Sequence, residues 1–238
     1  MRIVIYLINI IKIFYDPKYK YLILGGGYLG NKFNNYLQDS VLVSDRISSE
    51  SVEEILTDYE SEFVINCIGK TGTPNVDWCE NHKIETLEAN VFVPLYIAMA
   101  CQKFERKMVH IGSGCIYEGN NGGKGFDELD IPNFEGSFYS KTKIISEKIL
   151  IDFNPLLIRL RMPIDNKPSD RNLLTKLLKY DKIINVENSI TVVNDLLKIT
   201  ERLMQINQKG IFNVVNKQPV THKEILSIYE KYSNKKLN

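Results

Sequence analysis

The sequence predicts an α/β fold with a doubly wound parallel sheet, and three observations support this. Short apolar runs alternate with stretches of helical periodicity along most of the 238 residues. A Gly-x-Gly-x-x-Gly motif follows the first apolar run and opens a helical stretch. Polar loops follow several predicted strands, which is typical of the ligand-binding edge of an open parallel sheet. We therefore expect right-handed crossovers within one sheet.

The predicted elements follow one another through nearly the whole chain. Strands are predicted at residues 19–24, 41–44, 63–68, 107–111, 155–161, 182–186 and 211–215. Helices are predicted at residues 28–37, 51–59, 76–104, 141–151, 172–180, 192–205 and 223–232. We expect an interruption of the third helix at Pro94, because proline removes a helical hydrogen bond. The glycine- and acid-rich residues 120–133 are predicted to form a mobile loop near the site.

The N-terminal residues 1–17 are mostly apolar and end in the helix-breaking pair Asp16-Pro17. They are shorter than the roughly 20 apolar residues that a membrane span requires. No small-residue cleavage site follows them, as a signal peptide would have. We interpret them as an extension outside the fold, packed on its surface, with a targeting or anchoring role as the less favoured alternative.

Composition excludes several classes of protein. The net charge of +1 gives no electrostatic reason to expect nucleic acid or an anionic membrane as a partner. The four cysteines are Cys67, Cys79, Cys101 and Cys115. They contain no Cys-x-x-Cys pair and no histidine cluster accompanies them, so neither a metal site nor a disulfide framework is indicated.

The glycine motif predicts a dinucleotide site. Gly25 permits the tight turn, Gly27 lets the backbone approach a pyrophosphate, and Gly30 lets the helix pack on the strand. Tyr28 and Leu29 begin that helix, whose free amides attract phosphate. A glycine-rich turn without a ligand is the alternative. The motif indicates a Rossmann-type domain at residues 18–160, followed by a small substrate-binding lobe at 161–238 in the same compact body.

Other cofactor contacts are expected after the next two strands. Asp45 lies nearer to the glycines than the usual spacing of about 20 residues, but it could hold a ribose. Arg46 could meet a 2′-phosphate or be solvated surface. Cys67 lies near the end of the third predicted strand and Gly69 directly follows it, at the edge where the cofactor is expected.

Tyr139 and Lys143 are predicted to share one face of a helix, because residues four apart lie above one another. A cation beside a phenol lowers the pKa of the phenol, whose ordinary value is about 10, and so enables proton transfer near neutral pH. Ser113 follows another strand and could bind the same carbonyl oxygen. A plain amphipathic surface helix is the alternative for this pattern.

Together the glycine motif, Ser113 and the Tyr139/Lys143 pair resemble an extended short-chain dehydrogenase/reductase. Longer blocks resemble the bifunctional nucleotide-rhamnose synthase/epimerase-reductase family more specifically. These blocks are residues 66–80, 114–117, 136–143, 159–164 and 188–192. Two features depart from the family: Thr73 stands where the family often has Arg, and the segment between Gly30 and Asp45 is short.

The resemblance implies a UDP- or dTDP-linked 4-keto-6-deoxyglucose as substrate and NADPH as cofactor, with NADH as the alternative. In this scheme Tyr139 donates a proton to the C4 oxygen, Ser113 holds that oxygen, and Lys143 binds the nicotinamide ribose. Cys115 and Lys182 are the candidate acid/base pair for epimerisation at C3 and C5, although packing and surface roles are the plain alternatives. The expected substrate contacts are Thr71, Asn75, Asn90, Arg161 and Asn172.

The resemblance leaves three functions open: a bifunctional epimerase/reductase, a reductase alone, and a non-catalytic regulatory subunit that binds NADP. It implies a cytoplasmic protein, and a homodimer is compatible with it. The intact Ser113, Tyr139 and Lys143 set argues against the regulatory subunit, because a binding module needs no proton donor.

Overall fold

The computed structural model describes residues 17–233, so the predicted extension lies almost wholly outside the described residues. Its centre is a six-stranded sheet in the order β2-β1-β3-β4-β5-β8, and all the pairings are parallel. Its strands are β1 (Tyr19–Leu24), β2 (Ser40–Val43), β3 (Ser61–Asn66), β4 (Lys107–Ser113), β5 (Leu156–Leu160) and β8 (Gly210–Asn213). The structure thus confirms the predicted fold class.

Helices connect these strands. They are α1 (Tyr28–Tyr36), α2 (Ser51–Asp58), α3 (Trp78–Asn81), α4 (Lys83–Leu87), α5 (Val93–Lys103), α6 (Phe138–Leu150), α7 (Leu173–Leu177), α8 (Val193–Gln205) and α9 (His222–Ser233). Apolar side chains cover both faces of the sheet. One buried cluster joins β1, β3, β4 and β5 to α1 and α8, and the other joins the opposite face to α2, α5 and α6. Alternate residues of each strand therefore serve opposite layers, as burial on both faces requires.

The chain changes direction across the sheet at β1. The crossover from β1 leads outward to β2, and the next one leads back to β3 on the other side of β1. Crevices at such switch points, beyond the carboxyl ends of the strands, bind ligands in open α/β sheets. The fold therefore places its ligand cleft between the loops that follow β1 and β3.

The long helical stretch before β4 departs from regular geometry just ahead of Pro94. Residues Glu88–Phe92 form a π-helical turn, in which the backbone N–H of Val93 donates to the carbonyl of Glu88. Proline has no N–H for the bond to residue 90, so the wider turn forms where the regular pattern fails. The stretch Lys83–Lys103 is long and apolar enough to cross a membrane by composition, but half of it is buried against the sheet.

Beyond β5 the chain builds a small lobe over the strand ends and then returns to the sheet. β6 (Pro163–Ile164) pairs with β7 (Thr191–Val192) in a separate two-stranded sheet. The predicted strand at residues 182–186 is wrong, because this segment lies in an exposed loop outside any strand. β8 falls within the range predicted as lobe but extends the main sheet beside β5.

A buried ion pair fastens α6 to β5. Arg159 is 2% exposed, and its guanidinium donates to both carboxylate oxygens of Glu147, at 2.8 and 2.5 Å. Arg159 also donates to the Tyr117 hydroxyl at 2.9 Å and to the Asn213 side chain at 3.4 Å. One guanidinium therefore links a helix, two strands and the loop after β4.

We expect Glu147→Ala to lower the free energy of unfolding by about 3–5 kcal/mol, because it leaves the Arg159 charge buried without its carboxylate. Urea denaturation measures this. Glu53→Ala is the matched control, since its ion pair with Lys103 is exposed and we expect a loss of about 1 kcal/mol or less. Equal losses in the two variants would contradict the assigned importance of the buried pair.

Candidate active site

The carboxyl edge of the sheet gathers the predicted site residues because all six strands run the same way. The glycine loop follows β1, Asp45 follows β2, the loop at 67–75 follows β3, and Ser113 ends β4. Arg161 follows β5. One edge thus carries every strand-end candidate that the sequence singled out.

The glycine loop has the geometry that a pyrophosphate requires. Gly25 has a φ of +104°, which side chains other than glycine rarely adopt. A Cβ at Gly30 would overlap the carbonyl oxygen of Gly25, so α1 packs on the turn only with glycine there. A Cβ at Gly27, by contrast, would meet no atom within 4 Å. The backbone of Gly27 is therefore open to a ligand at the start of α1.

A cavity of about 440 Å³ lies beside this loop. Its walls include Gly25, Gly27, Asp45, Arg46, Cys67 and Gly69, all of them predicted cofactor contacts. Burial raises the pKa of the Cys67 thiol, so this side chain is a neutral part of the wall. The arrangement fits the predicted dinucleotide. Asp45 and Arg46, which follow β2, supply an acidic and a basic side chain to the wall of the cavity.

Tyr28 and Leu29 lie at the start of α1, but the Tyr28 side chain reaches across to the lobe. Its hydroxyl donates to the carboxylate of Asp165 at 3.0 Å, and Lys32 forms an ion pair with the same carboxylate. These contacts join the glycine-loop helix to the segment after β6. Sequence reasoning missed Asp165, because no local pattern distinguishes it from other acidic loop residues.

Ser113, Cys115 and Tyr139 come together at the end of β4. The Ser113 hydroxyl accepts from the backbone N–H of Cys115 at 3.1 Å, and the Ser140 hydroxyl donates to the Cys115 carbonyl at 2.6 Å. Burial raises the pKa of Tyr139 to about 12, while a side-chain hydrogen bond with Ser113 acts in the opposite direction. The prediction of a lowered pKa for Tyr139 is wrong here, because burial outweighs the favourable neighbours.

The Lys143 ammonium lies beside Gly69. A Cβ at Gly69 would stand 3.1 Å from Nζ of Lys143, so the glycine leaves room for this ammonium. Burial lowers the pKa of Lys143 to about 8. Within residues 17–233 the structure records no hydrogen bond or ion pair of this ammonium. Lys143 is thus a buried cation at the cleft that retains its full donor capacity.

Asn90 lies beneath the loop that contains Gly69 and Lys70, and its predicted role as a substrate contact is wrong. Its side chain accepts from the backbone N–H of Lys70 at 2.7 Å and donates to the Lys70 carbonyl and the Thr142 hydroxyl, each at 3.1 Å. It is fully buried. Asn90 therefore holds the loop after β3 against α6 and has no surface for the predicted substrate contact.

Asn172 is likewise buried rather than open to the cleft. It caps α7 by accepting from the backbone of Leu174 at 3.0 Å, and it donates to the carbonyls of Asp165 and Lys167. The Asn172 side chain therefore stabilises the lobe and is not available for the predicted substrate contact. Asn75 is exposed and bonds with Asp77 just before α3, so its side chain can still be reached from solvent.

Arg161 and Thr71, two predicted substrate contacts, are half-buried and follow β5 and β3 at the carboxyl edge of the sheet. Nε of Arg161 donates to the Asn188 side chain at 2.9 Å. The positive charge of Arg161 opposes the rise that burial causes in the pKa of Tyr139. Thr71 accepts from Arg171 at 2.6 Å. Arg171 is another residue that sequence reasoning missed, since only the folded lobe brings it to the loop after β3.

Lys182 is not brought to the other catalytic candidates. It is exposed in the loop between α7 and β7, and the structure records no hydrogen bond or ion pair of its ammonium within residues 17–233. The loop at 120–133 is mostly exposed, and Tyr117 stacks on its Phe126 with 4.4 Å between ring centroids. Glu128 also accepts from the backbone N–H of Asn213 at 2.7 Å.

Comparison with known families supports the family resemblance that the sequence motifs predict. A family model described as the RmlD substrate binding domain matches residues 28–224. The chain is 40% identical over 233 residues to an Arabidopsis thaliana trifunctional UDP-glucose 4,6-dehydratase/UDP-4-keto-6-deoxy-D-glucose 3,5-epimerase/UDP-4-keto-L-rhamnose-reductase, covering 92% of this chain and 34% of that protein. It is 38% identical over 236 residues to an Arabidopsis thaliana bifunctional dTDP-4-dehydrorhamnose 3,5-epimerase/dTDP-4-dehydrorhamnose reductase, covering 91% and 76%. The chain thus spans about a third of the trifunctional relative.

Solved structures show the same fold. A UDP-rhamnose synthase from Acanthamoeba polyphaga mimivirus superposes with a TM-score of 0.86 at 28% identity, covering 92% of this chain and 83% of that one. A dTDP-4-dehydrorhamnose reductase from Bacillus anthracis, in complex with NADP, superposes with a TM-score of 0.81 at 19% identity, with the same coverage. At that lower identity the likeness shows the fold alone.

We expect the stability of the protein to rise with pH from about 8 to 10.5 through Lys143. Its pKa is about 8 in the folded protein against an ordinary 10.5, so the unfolded chain binds more protons in this window. The full difference corresponds to about 3 kcal/mol. Lys143→Met removes this term, and its free energy of unfolding should exceed that of the wild type at pH 7 and lose the advantage by pH 10.5.

Denaturation of both proteins across pH 7–10.5 provides the measurement. Lys141→Met, an exposed lysine on the same helix, is the matched control and should follow the wild-type curve. Parallel curves for wild type and Lys143→Met would show that the folded protein does not suppress the charge of Lys143.

Proposed function

The chain belongs to the RmlD substrate binding domain family, and we propose that it is an NADPH-dependent reductase of a nucleotide-linked 4-keto-6-deoxy sugar. The substrate is the UDP- or dTDP-linked sugar, and the product is the L-rhamnose nucleotide. One observation carries the proposal: Tyr139 lies by Ser113 at the end of β4, and the Lys143 ammonium lies beside Gly69, which lines the cavity next to the glycine loop. The names of the relatives agree with this chemistry.

The residues that would hold the cofactor are distributed along the cleft. Gly27 and the start of α1 would receive the pyrophosphate, and Asp45 and Arg46 would face the adenosine end. The Lys143 ammonium, which lacks a partner among the described residues, would bind the nicotinamide ribose. When bound, NADPH supplies the reducing equivalent for the C4 ketone.

Tyr139 is suited to donate the proton. With a pKa raised to about 12 by burial, the phenol is protonated at neutral pH and can hydrogen-bond to the C4 oxygen as negative charge develops there. The Ser113 hydroxyl shares that oxygen and stabilises the charge further. Lys143 lies one helical turn from Tyr139 on α6, and we propose that its positive charge favours the phenolate that remains after transfer.

Tyr139→Phe should lower kcat for ketone reduction by about 10²–10⁴-fold, because it removes the proton donor. NADPH oxidation in the presence of the keto sugar measures the rate, and fluorescence titration measures NADPH affinity, which we expect to change little. Tyr232→Phe, at a site 78% exposed, is the control. Unchanged turnover in Tyr139→Phe would move the interpretation to a regulatory protein that binds NADP.

We further propose that the same site epimerises C3 and C5 before reduction. Both carbons flank the C4 ketone, so their protons can be removed through an enolate that Ser113 and Tyr139 would stabilise. Cys115 supports the proposal because it lies close enough to affect the pKa of Tyr139. Its backbone N–H also donates to the Ser113 hydroxyl, so its thiol is our candidate for returning one of the protons. A reductase without epimerase activity is the alternative.

Lys182 is the second member of the proposed pair, and its exposed loop would have to fold over the cleft when substrate binds. Binding-induced closure of this kind is common where a site must exclude water. The resemblance of its block to the epimerase-reductase family supports the assignment, whereas the observed exposure of the side chain gives it no geometric support.

Deuterium exchange distinguishes the two functions. In deuterated buffer the wild type should yield a rhamnose nucleotide labelled at C3 and C5, detected by NMR. Cys115→Ala should lose the label at one or both carbons yet reduce a ketone that has already been epimerised. Cys101→Ala, at a cysteine buried in the core far along α5, should keep both activities. Wild-type exchange in Cys115→Ala would refute the assignment, and unlabelled product from the wild type would indicate a reductase alone.

A further inference from the structure

Two polar side chains lie next to each other between the sheet and the helices that cover it. Asn66 ends β3, and His110 is its direct partner in β4. Both are buried, with 0% and 2% of their surfaces exposed. They lie on the face that packs on α5 and α6, where the preceding pair of the same register is Val64 and Met108. A buried polar pair in this layer is costly unless its members are hydrogen-bonded.

The hydrogen bonds of this pair determine which atoms donate and which accept. Oδ1 of Asn66 accepts from the backbone N–H of Ile68 at 2.9 Å, so the other amide atom, Nδ2, faces the ring of His110. Nδ2 of Asn66 and Nδ1 of His110 are 3.0 Å apart. Because Nδ2 can only donate, Nδ1 must accept, and the ring is neutral with its proton on Nε2. Burial lowers the pKa of His110, which agrees with a neutral ring.

The backbone group that Asn66 binds belongs to the wall of the cofactor cavity. Ile68 and Gly69 both line this cavity. Ile68 packs on the glycine loop, since a Cβ at Gly25 would stand 2.8 Å from its side chain and 3.1 Å from its backbone nitrogen. Gly69 lies beside the Lys143 ammonium. These two residues therefore span the cleft from the glycine loop to Lys143.

The wall formed by these residues has two separate supports. Asn90, in the π-helical turn, binds both backbone groups of Lys70. The Asn66 side chain binds the N–H of Ile68 from the end of β3. The second support depends on His110, because an amide that is free to rotate does not keep its oxygen on one N–H. His110 therefore influences the cavity from beneath the sheet edge.

We propose that Asn66 and His110 are a positioning pair for the dinucleotide cofactor. His110 orients the Asn66 amide, which in turn fixes the N–H of Ile68. Ile68 and Gly69 then set the width of the cleft between the glycine loop and Lys143. Neither member of the pair belongs to the described residues that line the cavity, so both act through the wall that they support. The inference rests on the proposed function, which supplies NADPH as the ligand.

Substitutions at His110 test the pair, with NADPH affinity measured by fluorescence titration of the complete chain without any sugar. His110→Leu removes the acceptor and leaves the Asn66 amide unpaired, so NADPH affinity should fall about tenfold. His110→Asn places an amide oxygen where Nδ1 stands and should recover most of that affinity. Its smaller side chain should still lower the thermal unfolding midpoint, because it leaves a cavity.

Met108→Ala is the matched control. Met108 is buried on the same face of β4, two residues before His110. This variant should lower the thermal unfolding midpoint by creating a cavity and keep the wild-type affinity for NADPH. Equal losses of NADPH affinity in Met108→Ala and His110→Leu would overturn the proposal, since affinity would then follow stability alone. Wild-type affinity in His110→Leu would overturn it as well.

A measurement on the wild-type protein tests the pair even where a variant fails to fold. Proton–nitrogen correlation spectra of the isotope-labelled chain distinguish the two neutral tautomers of a histidine ring from each other and from the imidazolium. His110 should carry its proton on Nε2 and none on Nδ1 at pH 7, and the amide of Ile68 should exchange slowly with solvent. A proton on Nδ1 would refute the hydrogen bond on which the pair depends.

These results are independent of the reductase assay. NADPH binding that depends on His110, in a protein that does not reduce the keto sugar, would sustain the positioning pair and refute the proposed reaction. Reduction of the keto sugar by a protein whose NADPH affinity ignores His110 would do the reverse.

Discussion

The site depends on one constraint, the fixing of a single face of α6 against the sheet. Tyr139, Lys143 and Glu147 follow at intervals of four residues and so lie along one side of the helix. Glu147 is bound by the buried Arg159 of β5, while the other two side chains reach the cleft. Because Arg159 also holds Tyr117 and Asn213, the same group sets the helix, the loop after Ser113 and the edge of the sheet. A rotation of α6 that displaced the phenol would therefore also have to break this buried pair.

The parts of the structure that sequence could predict are those that local rules specify. The glycine loop has fixed steric requirements, and the apolar periodicity of strands and helices can be read within a few residues. The carboxyl ends of parallel strands must lie at the same edge of the sheet. These rules place Ser113 and Gly69 at the same edge without further information. They also predict the interruption of the helix near Pro94. The missing N–H of this proline leads to a π-helical turn at Glu88–Phe92, one turn earlier in the chain.

The rest depended on contacts between distant segments. Asn90 and Asn172 carry amides that suit a sugar equally well, but the fold uses them to satisfy buried backbone groups of the loops they support. Arg171 and Asp165 matter only because the lobe meets the loop after β3 and the start of α1. The apolar character of residues 182–186 suggested a strand, yet none of the strands described in residues 17–233 pairs with this segment, and most of it is exposed. Neither the distant partner of a polar side chain nor the conformation of an isolated apolar run follows from a periodic pattern in the sequence, so neither could be predicted from it.

The chemistry itself imposes an order on the proposed reaction. The protons at C3 and C5 are acidic only while C4 is a ketone, so reduction ends any further epimerisation. Ser113 and Tyr139 would therefore meet an enolate oxygen first and an alkoxide afterwards, at the same place. A phenol whose pKa burial raises to about 12 can donate a hydrogen bond to the enolate without losing its proton, and it transfers that proton only to the more basic alkoxide. The burial that makes Tyr139 a weak acid is thus what would allow one residue to serve both steps in the required sequence.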